Sequence, residues 1–219
     1  MRRALAALVL LVAAAAAQDT TCDGMPICAA AASGDTGALT AALAAAADEH
    51  GRVDVGVADA VDVDGWTAVM RASLGGHAAA IELLLKAGAD VDAATPREQP
   101  QGGATGVHAA AIQGHLAAAK ALIAGGASVN SVTAEGLTPL MEAAYEAHQG
   151  SHAEGTALVK LLLASGARTR KLKDSAGDTA LMQLEKLMET ETEPVRGVDP
   201  EKVAAVRAQL HELLKHSEL

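Results

Sequence analysis

The sequence has almost no aromatic side chains. It contains no Phe, one Trp and one Tyr among 219 residues, although half of its residues are apolar. Protein interiors are close-packed, so a core without large rings must be filled by Ala and Leu. Such a core suits thin helices packed side by side better than it suits one large globular centre.

Basic side chains are scarce as well. There are 17 Lys and Arg residues against 27 Asp and Glu residues, a net charge of −10, or −12 without Arg2 and Arg3. This acidic balance repels phosphate backbones and anionic lipid surfaces, so we expect no nucleic acid partner. A basic partner is allowed but not required, because an acidic surface also serves solubility.

Enzyme motifs are absent from the sequence. It has no Gly-rich phosphate loop, no Gly-x-Ser-x-Gly elbow and no His-Glu-x-x-His motif. Gly102 and Gly103 follow Pro96 and Pro100 in a loop rather than lying between a strand and a helix. We therefore expect neither a catalytic residue nor a cofactor.

The chain begins with Arg2 and Arg3 followed by the apolar run Ala4–Ala17. A short basic start, a short apolar run and an Ala-x-Ala ending predict a secretory signal, with cleavage after Ala17. The run is short for a membrane span, which needs about 20 apolar residues. We expect the protein in an extracytoplasmic compartment (secreted, periplasmic or luminal). The alternative is an uncleaved signal anchor that tethers the protein to a membrane.

Cys22 and Cys28 are the only cysteines. Two cysteines so close together form a local disulfide in an oxidising compartment, and the secretory signal favours this pairing. The alternative is that Cys28 is a small buried residue on the first helix. Neither cysteine has a paired His nearby, which disfavours zinc.

A segment repeats along the chain. The residues from Thr67 read TAVMRASLGGHAAAIELLLKAGAD, and those from Thr105 read TGVHAAAIQGHLAAAKALIAGGAS. In both copies a His follows the Thr by ten residues. Thr138-Pro139-Leu140 opens a third copy, and Thr179 a fourth. This pattern resembles the ankyrin repeat, whose consensus carries T-P-L-H-x-A-A near its start.

The resemblance implies an all-α ankyrin-repeat solenoid of helix-turn-helix units with short hairpin loops, and a non-enzymatic, monomeric scaffold that binds a protein. We expect about four repeats and an N-terminal capping unit. The predicted divisions are a signal peptide (1–17), a tail (18–24) and a repeat domain (25–219), which comprises a capping unit (25–61), repeat one (62–93), repeat two (94–131), repeat three (132–173) and repeat four with the C-terminal cap (174–219).

Several local features follow from this register. Thr67 is predicted to cap a helix, Gly65 to turn the preceding hairpin, and Gly88 to end the second helix. The histidines at the repeat positions, His77, His108 and His115, are predicted to form structural hydrogen bonds across the turns. Three segments exceed the repeat pattern and are predicted to be loops: 94–103, 146–156 and 189–198.

Partner binding is predicted at hairpin tips and on the concave helix face. The residues are Val63, Asp64, Trp66, Leu74, Gln113, Glu135, Leu137, Tyr145 and Glu146. Trp66 and Tyr145 are the predicted anchors, because aromatic side chains dominate interface energies. For Trp66, the alternative is that its ring packs on its own hairpin.

A second function remains open in the sequence. His148 and His152 lie four residues apart in one insertion, and Glu189, Glu191 and Glu193 lie in the next insertion. Neighbouring insertions would bring these side chains together as a metal-binding or pH-sensitive contact. Flexible loops seldom hold ligands in place, so we predict no metal site as the primary function.

Overall fold

The computed structural model describes residues 25–98, 102–149, 154–168, 172–190 and 200–216, which form eleven helices and no strand. The helices are α1 (Pro26–Ser33), α2 (Thr36–Ala46), α3 (Val55–Ala58), α4 (Ala68–Leu74), α5 (Ala78–Lys86), α6 (Gly106–Ile112), α7 (Leu116–Ala124), α8 (Pro139–Gln149), α9 (Gly155–Ala164), α10 (Ala180–Thr190) and α11 (Pro200–His216). Apart from the one-turn α3, they form five successive pairs. The all-α prediction is confirmed.

The helix pairs stack in two rows. The first helices (α1, α4, α6, α8 and α10) pack side by side, and so do the second helices (α2, α5, α7, α9 and α11). Each second helix buries at least one large aliphatic side chain completely: Leu39, Ile81, Leu122, Leu158 and Leu210. Burying such a side chain contributes about 1.5–3 kcal/mol.

Small side chains allow the first helices to lie close together. Ala72, Ala110 and Ala143 each follow the threonine that precedes their helix by five residues, and all three are fully buried. The core is therefore built from Leu and Ala, as the composition predicts.

A tight loop, here called the tip loop, precedes each first helix from α4 onward. Three tip loops span five residues (62–66, 133–137 and 174–178), and their first N–H donates to the carbonyl of their fifth residue at 3.0 Å. Their fourth residue is Gly65, Gly136 or Gly177, with φ between +75° and +85°, a conformation that glycine adopts without strain. The prediction for Gly65 is confirmed.

The tip loop of repeat two accommodates the inserted residues. In this loop the N–H of Thr95 donates to the carbonyl of Ala104 at 2.9 Å, and Gly103 has φ +78°. The longer loop therefore closes with the same hydrogen bond as the five-residue loops. Residues 99–101, inside the insertion, lie outside the described part of the chain.

Threonines cap the first helices, as predicted for Thr67. Its hydroxyl accepts a hydrogen bond from the N–H of Met70 at 3.3 Å, and Thr138 accepts from Met141 at 3.2 Å. These bonds satisfy backbone donors that lack a partner in the first turn of a helix. Gly88, with φ +95°, follows the end of α5 as predicted.

The connection from Asp48 to Asp64 is more regular than the sequence indicates. It contains α3, and the carboxylate of Asp59 just after α3 accepts the N–H of Asp90 at 2.8 Å. Asp92 makes the same contact one repeat further on, with the N–H of Ser128 at 2.8 Å, and Asn130 makes it two repeats further on, with the N–H of Arg168 at 2.8 Å. These three side chains link the ends of successive repeats.

The predicted interhelical loop of repeat three is partly helical, which corrects the prediction. Helix α8 continues to Gln149 and α9 begins at Gly155, so only residues 150–154 lie between them, and 150–153 are outside the described residues. The extra turn forms because Ala147 is buried against Gly155, where an added Cβ would lie 2.9 Å from the Cα of Ala147. In repeat four α10 likewise includes Glu189 and Thr190, and residues 191–199 are not described.

The predicted signal peptide and tail, residues 1–24, also lie outside the described residues. Among the described helices, none is both long and apolar enough to cross a bilayer. Cys28 is buried, with its sulfur 3.9 Å from the carboxylate of Asp62. Since Cys22 is not described, its disulfide with Cys28 stays a prediction.

Candidate partner-binding surface

Two histidines join neighbouring first helices. Nε2 of His77 lies 3.1 Å from the carbonyl oxygen of Ala32, in α1, and Nε2 of His115 lies 3.0 Å from that of Leu74, in α4. Each ring therefore bonds a carbonyl at the end of the preceding first helix, a group that has no partner within its own helix. This confirms the predicted structural role of both residues.

His108 is a structural residue of repeat two. Its Nδ1 accepts the N–H of Thr105 at 3.2 Å, so Nε2 carries the proton and donates to the carbonyl of Leu137 at 3.2 Å. The ring is fully buried, and this burial lowers the pKa of His108 to about 4. The ring is therefore neutral at neutral pH and joins repeats two and three.

Repeat one contains a buried ion pair that sequence reasoning missed. The guanidinium of Arg71, in α4, lies 2.6 Å from the carboxylate of Asp62 and 2.9 Å from that of Asp64. Asp62 also accepts the N–H groups of Asp64 and Trp66 through its other oxygen. Arg71 and Asp62 are both buried, so the pair fixes the tip loop to its helix. The sequence signal that could have predicted this ion pair is spacing, since Asp62 precedes the capping Thr67 by five residues and Arg71 follows it by four.

Trp66 is buried rather than exposed, which corrects its prediction as an interface anchor. Only 7% of the residue is accessible, and it packs in a second small core with Met70, Leu74, Ala109 and Ile112. The guanidinium of Arg71 lies 5.4 Å from its ring centroid, within the range of a cation–π contact. The ring is buried against helix side chains of repeats one and two rather than on its own hairpin, which was the alternative prediction.

Three other predicted contact residues are buried as well: Leu74 in this second core, Leu137 and Glu146. Leu74 is covered because repeat two supplies Ile112 and Ala109 against it. Leu137 closes its tip loop and packs in the main core. Glu146 lies in the extra turn of α8 instead of a loop. None of the three presents an open surface to a partner.

Five predicted contact residues keep accessible surface. Val63 is 80% exposed and Glu135 is exposed, both in tip loops, while the side chain of Asp64 is 47% exposed. Gln113, directly after the first helix α6, and Tyr145, within the first helix α8, are half-buried. The remaining candidate surface is therefore an edge made of tip loops, flanked by two first-helix side chains.

Glu142 is a further buried acid that sequence reasoning missed. It occupies α8 four residues after Thr138, and 3% of the residue is accessible. Its Oε2 is fully buried and has no hydrogen-bond partner among the described residues. Burial, strengthened by the charges of Glu135 and Glu146, raises the pKa of Glu142 well above its ordinary value.

The predicted metal contact lies outside what the structure describes. His152, Glu191 and Glu193 lie outside the described residues, as do the side chains of His148 and Glu189. Within the described ranges, no group of three or more His, Cys, Asp or Glu side chains could hold a metal ion.

Family comparisons agree with the architecture. Models described as "Ankyrin repeats (3 copies)", "Ankyrin repeats (many copies)" and "Ankyrin repeat" match residues 3–95, 107–152 and 135–174, respectively. No curated protein matches the chain. Ankyrin repeats are typically non-enzymatic modules of protein interaction. From the stacked helix pairs, the tip loops and these matches, the chain belongs to the ankyrin repeat family.

Proposed function

We propose that this protein is a scaffold that binds another protein through its tip loops and the adjoining ends of its first helices. The single observation that carries the proposal is Val63, a large apolar side chain that is 80% exposed on a tip loop whose backbone is fixed. The loop is held by the hydrogen bond from Asp62 to Trp66 and by the buried pair of Asp62 and Arg71. A fixed loop limits the conformational entropy that is lost on binding.

The proposed contact set is Val63, Asp64, Gln113, Glu135 and Tyr145. The tip loops of repeats two, three and four are also joined to each other: the N–H of Ala134 donates to the carbonyl of Gly102, and that of Ser175 donates to the carbonyl of Glu135. These bonds limit the movement of the three loops relative to one another. A protein partner can therefore contact several loops at once.

The proposed compartment is extracytoplasmic, on the strength of the basic and apolar start of the sequence. N-terminal sequencing of the protein from its native source tests this part separately. A mature chain beginning at Gln18 supports export with cleavage, whereas a chain that retains Arg2 and the apolar run supports the tethered alternative.

Affinity capture tests the surface. We expect wild type to retain a specific protein from the matching compartment, and Val63→Ser with Gln113→Ala to weaken that retention by about tenfold or more. The matched control is Glu82→Gln with Lys120→Gln, two exposed residues on the second helices α5 and α7. The proposal is wrong if the control variant with both Glu82 and Lys120 changed loses the partner and the variant with both Val63 and Gln113 changed keeps it.

A further inference from the structure

The tip loops of repeats three and four each use one backbone N–H to join the loop before them. The donors, Ala134 and Ser175, hold the same position, four residues before Thr138 and Thr179. Their bonds to the carbonyls of the preceding loops measure 2.6 Å and 2.7 Å. In repeat one the same position is occupied by Val63. The N–H at this position is therefore the group that extends the row of tip loops towards the amino terminus.

Val63 lies at the open end of this row. The described residues begin at Met25, directly before α1, so no tip loop precedes that of repeat one in the described part of the chain. Within that part the N–H of Val63 makes no hydrogen bond. The residue is also largely exposed, so a partner can reach it without any rearrangement of the protein. An unpaired backbone donor at such an edge is a template for pairing with another chain segment.

Exposed valines lie close to this donor in the sequence. Val57, Val61 and Val63 are 45%, 50% and 80% exposed, and they are three of the four exposed large apolar residues in the described ranges. Asp62, between the last two, points inward to Arg71, so both valines are turned outward. The Cα atoms of Val57 and Val61 are at most about 14 Å apart, because only four residues separate them. One short partner segment can therefore cover all three, here called the valine edge.

The chain around the valine edge is acidic. Residues 48–64 carry six Asp and Glu residues against one Arg. That arginine, Arg52, pairs with Asp48 at 3.2 Å, and Arg71 from α4 pairs with Asp62. The segment therefore keeps an excess of negative charge after both ion pairs are formed. Such an edge favours a basic occupant over an acidic one.

We propose that the valine edge docks an extended, basic segment of a partner protein, which continues the row of tip loops at its open end. A backbone carbonyl of this segment accepts the N–H of Val63, its apolar side chains cover the valines, and its Lys or Arg side chains face the acids of residues 48–64. This inference rests on the proposed scaffold function and names the chemistry of its partner.

Charge disfavours two other occupants of the valine edge. A second copy of this chain would bring an equally acidic edge against it. The predicted tail, residues 18–24, contains Asp19 and Asp23 and no Lys or Arg. Like charges placed opposite each other suppress pairing, so a basic partner is the better match.

The backbone at Val63 is held in place before a partner arrives. The N–H of Gly65 donates to the carbonyl of Asp62 at 2.9 Å, which closes a four-residue turn with Val63 as its second residue. The buried pair of Asp62 with Arg71 fixes the start of this turn. When an extended segment is added to an edge, main-chain hydrogen bonds give affinity and side-chain contacts give specificity. A fixed donor reduces the entropy lost in forming such a bond.

Solution NMR with short peptides tests the inference on the full mature chain. The probe is Ac-Lys-Val-Lys-Val-Lys-NH2, and the matched control is Ac-Glu-Val-Glu-Val-Glu-NH2, which has the same valines and the opposite charge. We expect the lysine peptide to shift the amide signal of Val63 saturably, with a Kd of about a millimolar, and to slow its exchange with solvent. The glutamate peptide should bind about tenfold more weakly or worse. No saturable shift at Val63, or equal affinity for both peptides, would overturn the inference.

Two variants separate the backbone donor from the apolar side chain. Val63→Pro removes the N–H and keeps an apolar ring, at a turn position that proline favours, so it should fold and bind the lysine peptide about tenfold more weakly. Val63→Thr keeps the N–H and the shape but loses apolar surface, and should weaken binding several-fold. The methyl signals of Val61 report binding, and unchanged amide signals of α6–α9 report folding. If Val63→Pro binds the peptide as wild type does, the N–H is not the donor and the proposed docking is wrong.

Amide exchange of the free protein tests the other occupants. We expect the N–H of Val63 to exchange as fast as an open amide before any peptide is added. Protection of this N–H in the monomer would show that the chain covers its own edge. Protection that appears only as the protein dimerises would identify a second copy as the occupant. Either result overturns the inference.

The capture experiment distinguishes this inference from the scaffold function itself. If Val63→Pro retains the partner fully while Val63→Ser with Gln113→Ala loses it, the tip-loop surface stands and the added segment does not. If both variants retain the partner, the proposed surface fails as well.

Discussion

Buried titratable side chains should make the stability of this protein depend on pH. His108 is neutral and fully enclosed, with a pKa of about 4 against 6.5 in an open environment. Glu142 is shifted in the opposite direction, with its pKa raised by burial. The stability that His108 contributes is present above pH 6.5 and is lost as the pH falls towards 4. The stability linked to Glu142 is present below pH 4.5 and is lost as the pH rises through its raised pKa.

The first prediction concerns His108. Between pH 6.5 and about 4 the unfolded chain takes up a proton that the buried ring does not, so wild type should lose about 3 kcal/mol through this group. His108→Gln should remove that part of the pH dependence. Urea unfolding at several pH values measures the difference between the two curves, and NMR follows the ring directly. Parallel curves for the two proteins, or a ring that titrates above pH 6, would contradict the prediction.

Residue-level features divide clearly into predictable and unpredictable ones. Thr67, Gly65 and the three histidines were predictable, because each acts within one repeat or at a fixed position in its pattern. The burial of Trp66 was not, because Ala109 and Ile112, in the next repeat, cover it. Nor was the raised pKa of Glu142, since it depends on burial and on the nearby charges of Glu135 and Glu146. A sequence pattern indicates which face of a helix is apolar, but not what lies against the polar positions.

At the level of the element, the tip loop of repeat one is stabilised mainly by its buried acid. Asp62 accepts two backbone N–H groups and pairs with Arg71, whereas Asp64 pairs with Arg71 from a half-exposed position. Breaking a buried pair leaves an uncompensated charge, while an exposed pair contributes little. The two aspartates should therefore differ greatly in importance although they are two residues apart.

The second prediction follows from this contrast. Asp62→Ala should lower the free energy of unfolding by about 3–5 kcal/mol, and Asp64→Ala by less than about 1 kcal/mol. Urea unfolding followed by far-UV circular dichroism measures both. Asp62→Asn serves as a control that keeps an oxygen for the loop N–H groups and removes the charge, so it should fall between the two. Equal losses of unfolding free energy for both alanine variants would show that the buried pair of Asp62 with Arg71 stabilises the protein no more than the half-exposed pair does.

The helices themselves were predicted better than their lengths. The pairs and their order follow from the repeated Thr and His positions. Helix α11 begins at Pro200, a residue that favours the first position of a helix. The first helices of repeats three and four, with 11 residues each, exceed the 7 residues of α4 and α6. That extension depends on contacts such as Ala147 with Gly155, which lie across an insertion and leave no periodic pattern.

For the whole molecule, nearest-neighbour packing is the main constraint. Each helix pair contacts the pair before it and the pair after it, so stability is close to a sum over repeats and interfaces. The last helix, α11, packs on α8, α9 and α10. Its fully buried residues Leu210 and Leu214 therefore contribute to one end of the stack only.

The third prediction compares the end with the middle. Leu214→Ala should accelerate amide hydrogen exchange in α8, α9 and α11 and leave α1 and α2 at their wild-type rates. Leu122→Ala, at the centre in α7, should accelerate exchange on both sides of the cavity. Exchange that rises uniformly in all repeats after the Leu214 change would show that the solenoid opens as one unit.

The bonds between repeats also have a direction. Asp59, Asp92 and Asn130 offer acceptor oxygens to N–H groups about one repeat later in the chain, and the carbonyls of Ala32 and Leu74 accept from histidines of the following repeat. His108 and the amide nitrogen of Asn130 are donors to later carbonyls and so run the other way. During synthesis the chain emerges with its amino terminus first, so most acceptors are in place before their donors appear. Each finished repeat is thus a template on which the next one can close.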